Sequence, residues 1–147
     1  MLKHILVLVG LLILFASGCT YKGPLQSLPP VATEEAATIV VIVEKIFPPM
    51  RPVVAVIDGK EVYAIGNNQY VIFHVTPGSH TVIGKRNDDR AITNKSIAEF
   101  SLKTGETVYL YFERKVFSTL DPHTIVSQIP EAQAKELMKN ATRVGPQ

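Results

Sequence analysis

The chain has a single cysteine, no tryptophan and no block of like charge along its 147 residues. One cysteine excludes an internal disulfide, so a folded domain depends on its hydrophobic core alone. The 15 basic and 13 acidic side chains are mixed along the sequence, and this pattern gives no indication of binding to nucleic acid or to an anionic lipid surface. Only the N-terminus carries a long apolar run, so the mean hydropathy of +0.18 does not indicate a polytopic membrane protein.

That cysteine ends an N-terminal pattern typical of secretory signal peptides. Basic Lys3 precedes an apolar segment from Ile5 to Ala16, and Ser17-Gly18 supplies small residues directly before Cys19. A charged start, an apolar segment of roughly 7–15 residues and small residues at the cleavage site define such a signal. The segment resembles the signal and lipobox of bacterial lipoproteins, in which the cysteine thiol receives a diacylglycerol and cleavage occurs before that cysteine. This resemblance implies that Cys19 is the lipid attachment site and the acylated N-terminus of the mature chain.

An uncleaved membrane anchor or an ordinary signal peptide is the alternative interpretation. The apolar segment 5–16 has twelve residues, which span about 18 Å of a hydrocarbon core of about 30 Å. We therefore prefer the lipoprotein interpretation. Thr20 follows the cysteine, where inner-membrane lipoproteins of Gram-negative bacteria usually carry aspartate. In a host with two membranes, we therefore expect attachment to the outer membrane, facing the periplasm.

We predict three parts in the chain: a signal peptide at 1–18, an acylated N-terminus with a proline-rich tether at 19–35, and a folded domain at 36–143. Gly23, Pro24, Pro29 and Pro30 lie among small and polar residues of the tether. Because proline restricts the backbone and removes a donor, this composition predicts an extended, semi-stiff spacer. The sixteen residues 20–35 would reach up to roughly 50 Å as such a spacer.

The domain has the pattern of short strands separated by turn residues. Residues 38–43 are almost all β-branched without polar alternation, which predicts a strand covered on both faces; residues 47–50, with two prolines, then interrupt it. Asp58-Gly59 predicts a two-residue hairpin, followed by a turn at Gly66–Asn68. We also predict hairpins around Pro77-Gly78 and around Lys103–Gly105. In the first of these, residues 69–75 pair with 80–85; in the second, 97–102 pair with 106–112.

The end of the chain predicts one more short strand and a helix. Thr124–Gln128 has strand character, and Pro130 suits the first position of a helix. Ala134, Leu137, Met138 and Ala141 recur at helical spacing and predict an apolar stripe that packs on an outer sheet face. The whole pattern predicts a mainly β fold, an antiparallel β-sandwich of about seven to eight strands with one C-terminal amphipathic helix.

Several of these turn motifs occur in a shared order. The order is Arg51, Asp58-Gly59-Lys60, Tyr70, Phe73, Pro77-Gly78-Ser79-His80, and Thr104-Gly105 followed by Glu106–Leu110. This order resembles an uncharacterised bacterial lipoprotein domain family with a DGK…PG-x-H…GxTxY pattern, similar to PEGA-type surface modules. The resemblance covers roughly residues 39–141. It implies a β-sandwich on a lipid tether and implies no activity.

Few residues indicate chemistry. His74 and His80 flank a turn, and the pairing predicted above directs them to opposite faces, so a shared metal is not expected. Asp121 and His123 have no activated nucleophile near them in the sequence, and Asp88-Asp89 lacks the ligand spacing of a calcium loop. We therefore expect no catalytic residues, no metal, no cofactor and no enzyme activity.

Tyr109 and Tyr111 are the best candidates for a contact surface. In the strand they share one face, while Val108, Leu110 and Phe112 share the other. If the tyrosine face is exposed, it suits a protein or glycan partner; if the helix covers it, the tyrosines belong to the core. The sequence therefore predicts a lipid-anchored envelope accessory module that acts through protein contacts, attached to the membrane through Cys19 and without a nucleic-acid partner. A lipoprotein that binds a small molecule or glycan is the alternative.

Overall fold

A computed structural model describes residues 23–45, 51–86, 93–114 and 123–145. They form a β-sandwich of two five-stranded sheets with one α-helix, which confirms the predicted fold class. The strands are β1 (Gly23–Pro24), β2 (Ala37–Val43), β3 (Val53–Ile57), β4 (Lys60–Ile65), β5 (Gln69–Val75), β6 (Gly78–Lys85), β7 (Ile97–Leu102), β8 (Thr107–Arg114), β9 (Thr124–Gln128) and β10 (Thr142–Val144), and the helix is α1 (Glu131–Lys139). Two short 3-10 helices, Thr33–Glu35 and Asn94–Ser96, precede β2 and β7.

The two sheets have different strand orders. Sheet I has the order β1-β4-β3-β6-β7, and sheet II has the order β10-β5-β2-β8-β9. All pairs are antiparallel except β2 with β8 and β5 with β10. The structure therefore has ten strands in the described residues rather than seven to eight, because β1 and β10 are too short to leave a pattern in the sequence.

The centre of sheet II is the strand predicted to be covered on both faces. In β2, Ile39 and Val41 point into the core between the sheets, whereas Val40 and Ile42 point outward. All four are less than 5% exposed. Because successive strand residues face opposite sides, only a second covering layer can bury both sets, and full burial of each such side chain contributes about 1.5–3 kcal/mol.

Helix α1 is that second layer. Ala134 is fully buried against Val40 and Ile42, and Leu137 and Met138 pack around the same cluster. This confirms the predicted packing on an outer sheet face for Ala134, Leu137 and Met138, three of the four residues of the predicted stripe. The helix begins at Glu131, one residue later than predicted, and Pro130 directly precedes it. Ala141, the fourth residue of the predicted stripe, lies two residues beyond the end of the helix at Lys139.

One predicted hairpin is confirmed and two are wrong. Asp58 and Gly59 have φ of 49° and 80°, as a type I′ turn requires, and they join β3 to β4 in sheet I. The turn at Pro77-Gly78, however, joins β5 of sheet II to β6 of sheet I, and the turn at Lys103–Gly105 joins β7 of sheet I to β8 of sheet II. These two turns are crossovers between sheets, so the strand pairings predicted across them do not exist.

Part of the predicted tether packs against the sandwich. Gly23 lies opposite Ala64 in the β1–β4 pair, and the Leu25 backbone N–H donates to the Val62 carbonyl oxygen at 3.0 Å. Leu28 packs against the main core. From residue 23 onward, the segment therefore runs along the edge of sheet I. It is not the extended spacer of roughly 50 Å that the sequence predicted.

The long axis of the sandwich has two distinct ends. We call one the arginine end, where β2, β4, β6 and β8 finish and where Arg86 and Arg114 lie. We call the other the hairpin end, with the Asp58-Gly59 turn and the start of α1. Helix α1 runs from the hairpin end to the arginine end, where the Asn68 side-chain amide donates to the Asn140 carbonyl oxygen at 2.8 Å. No helix in the described residues is long and apolar enough to cross a membrane.

Candidate functional site

The two candidate tyrosines lie on the outer face of sheet II, beside α1. Both are half-buried and both pack against the cluster formed by Val40, Ile42 and Ala134. Burial raises the pKa of Tyr111 to about 12, and the negative charges of Glu44 and Glu113 add to this shift. The residues therefore combine the two roles expected from the sequence, since each contributes to packing and each retains exposed surface.

A groove lies next to Tyr109 at the hairpin end. It has a volume of about 420 Å³, and it is lined by Gly105, Thr107, Val108, Tyr109, Gln128, Ile129, Pro130 and Glu131. Residues from β8, β9 and the first turn of α1 thus meet on one surface. The groove exists because the chain leaves β9 at Ile129 and turns into the helix, which leaves the start of β8 without a neighbour on that side.

This groove exposes a strand edge. Strand β9 pairs with β8 only from Leu110 to Arg114, with one further bond from the Ile129 N–H to the Tyr109 carbonyl oxygen at 3.0 Å. On the other side, β2 pairs with β8 from Thr107 onward. Because backbone groups of alternate residues face opposite neighbours, Thr107 directs its N–H and C=O toward the groove. Over this one residue, the edge can pair with the backbone of an extended peptide.

The rim of the groove carries a charged pair. Lys135 Nζ lies 2.6 Å from Glu131 Oε1. A hydrogen bond from Lys135, with smaller help from Tyr109, lowers the pKa of Glu131, and the same pair raises the pKa of Lys135. The groove is therefore polar on its helix side and aromatic on its sheet side.

His74 and His80 lie in different sheets and do not form a common site. His74 is exposed on β5, and its Nδ1 lies 3.5 Å from Thr38 Oγ1. His80 is buried on β6, with Nδ1 2.8 Å from Asp58 Oδ2 and Nε2 2.7 Å from the Thr76 carbonyl oxygen. The expected separation of the histidines holds, but its reason was wrong, because β5 and β6 do not pair. Both ring nitrogens of His80 are engaged, so its role here is to join two turns.

A second groove lies beside His80 on the edge of sheet I. It also has a volume of about 420 Å³, and it is lined by Ser79, His80, Thr81, Glu99 and Phe100. The rings of His80 and Phe100 are 6.5 Å apart between centroids. With both His80 nitrogens bonded, this groove offers few convergent polar groups for a ligand.

The arginine end contains a buried polar cluster that the sequence did not predict. Arg114 Nη1 donates to the Arg51 carbonyl oxygen at 2.9 Å, and Nη2 donates to Asn67 Oδ1 at 2.6 Å and to the Glu44 carbonyl oxygen at 3.3 Å. Burial and the nearby positive charge of Arg86 lower the pKa of Arg114, while Glu44 acts against that shift. Arg114 thus ties together segments of both sheets.

The comparisons with known proteins are negative. No family model, curated protein or solved structure matches this chain. The fold and the surface geometry are therefore the basis for a function.

Other predicted residues lie outside the described part of the chain. These are Cys19, Asp88-Asp89, Asp121 and residues 47–50. Within the described ranges, there is no group of three His, Cys, Asp or Glu side chains placed to hold a metal ion. The Tyr109 groove is the surface where the geometry best suits binding: an open strand edge, an aromatic ring and a charged rim.

Proposed function

We propose that this chain is a lipid-anchored accessory module of the bacterial cell envelope, which acts through protein contacts and not through catalysis. It is held by acylated Cys19 in the outer membrane and faces the periplasm. Its turn motifs, which resemble those of β-sandwich lipoproteins, support this function.

The open edge of β8 in the Tyr109 groove carries this proposal. An extended segment of a partner can pair with Thr107 and place a side chain against the Tyr109 ring. Backbone pairing contributes affinity in this mode of recognition, and side-chain pockets contribute specificity. Aromatic residues that are partly packed are also effective contact residues, because little side-chain freedom remains to be lost on binding.

The anchor is tested by changing the attachment residue. Cys19→Ser removes the thiol that receives the lipid, so the mature chain should carry no acyl mass and the precursor should remain uncleaved. Ser17→Ala is the matched control, because it keeps a small residue at the cleavage site and should be processed normally. Normal processing and membrane attachment of Cys19→Ser would rule out the lipoprotein function.

The protein contact is tested by photo-crosslinking in intact cells. A photoreactive residue at position 109 should give a discrete crosslinked protein, whereas the same residue at Ser79, exposed on the other sheet, should not. Excess of a peptide from the crosslinked partner should suppress the product. Equal products at both positions, or none at either, would contradict the contact function.

A glycan-binding function is the second candidate. Gln128 and Glu131 line the same groove as Tyr109, and a ring with nearby polar side chains is a combination that suits sugars. A crosslinked product at position 109 whose mass returns to that of the chain alone after digestion with glycan-cleaving enzymes would favour this function.

A further inference from the structure

The described chain begins at the arginine end of the sandwich. Gly23 is buried opposite Ala64, one residue before the end of β4. Cys19 precedes Gly23 by four residues. Four residues span at most about 14 Å even when fully extended, so the arginine end lies within that distance of Cys19.

The exposed charges are sorted along the same axis. Basic side chains are exposed at the arginine end: Lys45, Arg51, Lys95 and Arg143. Acidic side chains are exposed at the hairpin end: Glu34, Glu35, Asp58 and Glu106.

Each end also carries side chains of the opposite sign. Lys60 and Lys103 are exposed at the hairpin end, and the half-buried Glu44 and Glu113 lie at the arginine end. The exposed charges of α1 form two ion pairs, Lys135 with Glu131 and Lys139 with Glu136, so they add no net charge to either end. Segments 46–50, 87–92 and 115–122 lie outside the described residues and hold two basic and three acidic side chains. Among the described residues, and with the buried Arg86 and Arg114 included, the arginine end has a basic excess.

We propose that the arginine end rests on the anionic headgroups of the membrane that holds the lipidated Cys19, and that the hairpin end points away from it. This inference depends on the lipid anchor proposed above. It deepens that function, because the Tyr109 groove lies at the hairpin end. The seven steps of β8 from Thr107 to Arg114 span about 23 Å, so the groove is held clear of the headgroups and open to a partner.

The physical basis is a short tether combined with a complementary charge. A Lys or Arg near an anionic surface strengthens binding about five-fold, which corresponds to about 1 kcal/mol. This attraction decays over about 8 Å at physiological salt. The tether keeps the arginine end close enough for that attraction to act, and the acidic hairpin end is repelled from the same surface.

Fluorescent labelling at the two ends tests the orientation. Cys19 is the only cysteine and is acylated in the mature form, so an introduced cysteine is the one free thiol. Asn94→Cys places a label at the arginine end and Thr104→Cys places it at the hairpin end, and both positions are exposed. The full lipidated chain is reconstituted in vesicles of phosphatidylglycerol and phosphatidylethanolamine that carry a quencher on the headgroup.

We expect strong quenching of the label at position 94 and little quenching at position 104. If a chain that carries the acyl mass shows equal quenching at the two positions, or stronger quenching at position 104, the orientation is overturned. The lipid anchor is then unaffected. A mature chain without acyl mass overturns the anchor and this inference with it.

Charge reversal tests the contribution of the basic surface. The test variant carries Lys45→Glu and Arg143→Glu, and it should show reduced quenching at position 94. The control variant carries Lys60→Glu and Lys103→Glu, which change the charge by the same amount at the hairpin end. Its quenching at position 94 should stay the same. Circular dichroism melts of both double variants check that the fold is retained. If the two pairs behave alike, the charge of the arginine end does not hold it at the membrane.

Discussion

Two buried polar side chains hold the ends of the sandwich, and each does so through several hydrogen bonds. At the hairpin end, His80 connects Asp58 of the β3–β4 turn to Thr76 of the β5–β6 crossover. At the arginine end, Arg114 connects Asn67 to the Arg51 backbone. Because a buried polar group without partners costs about 1–3 kcal/mol, these contacts favour one arrangement of the connecting segments over others.

The pKa of Tyr111 predicts how stability changes at alkaline pH. The folded chain keeps the phenol proton until about pH 12, whereas an unfolded chain releases it near pH 10. The contribution of Tyr111 to the free energy of unfolding is therefore fully present below pH 10, and it is lost as the pH rises toward 12. Denaturant unfolding at several pH values should give a steeper loss of stability in the wild type than in Tyr111→Phe. Parallel profiles for the two chains would show that burial does not hold this proton.

Gly78 is expected to be sensitive because of its backbone conformation. Its φ is 140°, which a β-branched residue rarely adopts, but a Cβ atom there has no other atom within 4 Å. Gly78→Val should therefore cost about 1–3 kcal/mol through backbone strain alone. Ser79→Val, at an exposed strand position next to it, should change stability by no more than about 0.5 kcal/mol. A thermal melt of Gly78→Val that matches the Ser79→Val control would contradict this assignment.

At the scale of elements, the sequence predicts strands well and their partners poorly. The β-branched run of β2, the Asp58-Gly59 turn and the stripe of α1 each have a local cause, and all three are confirmed. Pro77-Gly78 and Thr104-Gly105 are also turns, but a turn motif does not encode whether the next strand stays in the same sheet. That choice depends on packing between the sheets, which is a property of the whole chain.

Features that depend on distant parts of the chain left no signal in the sequence. Strand β10 has three residues and pairs with β5, and β1 has two. Neither is long enough to show a period of two residues. The Tyr109 groove arises likewise from where β9 stops, so the sequence predicted the tyrosines but not the open strand edge beside them.

The attachment of α1 to sheet II can be tested with two alanines of the same helix. Ala134 is fully buried against β2, whereas Ala132 is exposed. Ala134→Glu should cost at least about 1–3 kcal/mol from overpacking alone, with the buried carboxylate adding to that loss. Ala132→Glu should change stability by about 0.5 kcal/mol or less. Equal melting temperatures for the two variants would mean that the helix does not pack on this face.

For the whole molecule, folding sorts charges that the sequence mixes. Glu106 and Arg114 are only eight residues apart in the chain, yet β8 separates them to opposite ends of the sandwich. Strands that traverse the full length do the same for other charged neighbours. An even distribution along the sequence therefore gave no indication of a charged surface, and the basic arginine end becomes visible only in the fold.

The short segment between Cys19 and Gly23 is expected to act together with this charge. Inserting twelve Gly and Ser residues after Thr20 adds a flexible linker with a mean reach of about 20 Å, and only charge then draws the arginine end to the membrane. In about 1 M salt the Debye length falls to about 3 Å, so the attraction between the basic side chains and the headgroups is screened. The natural chain should still show stronger quenching at position 94 than at position 104, because its short tether remains. The chain with the insertion should lose that difference, while the same twelve residues added after Gln147 should have no effect. If the insertion leaves the difference unchanged in high salt, tether length does not orient the domain.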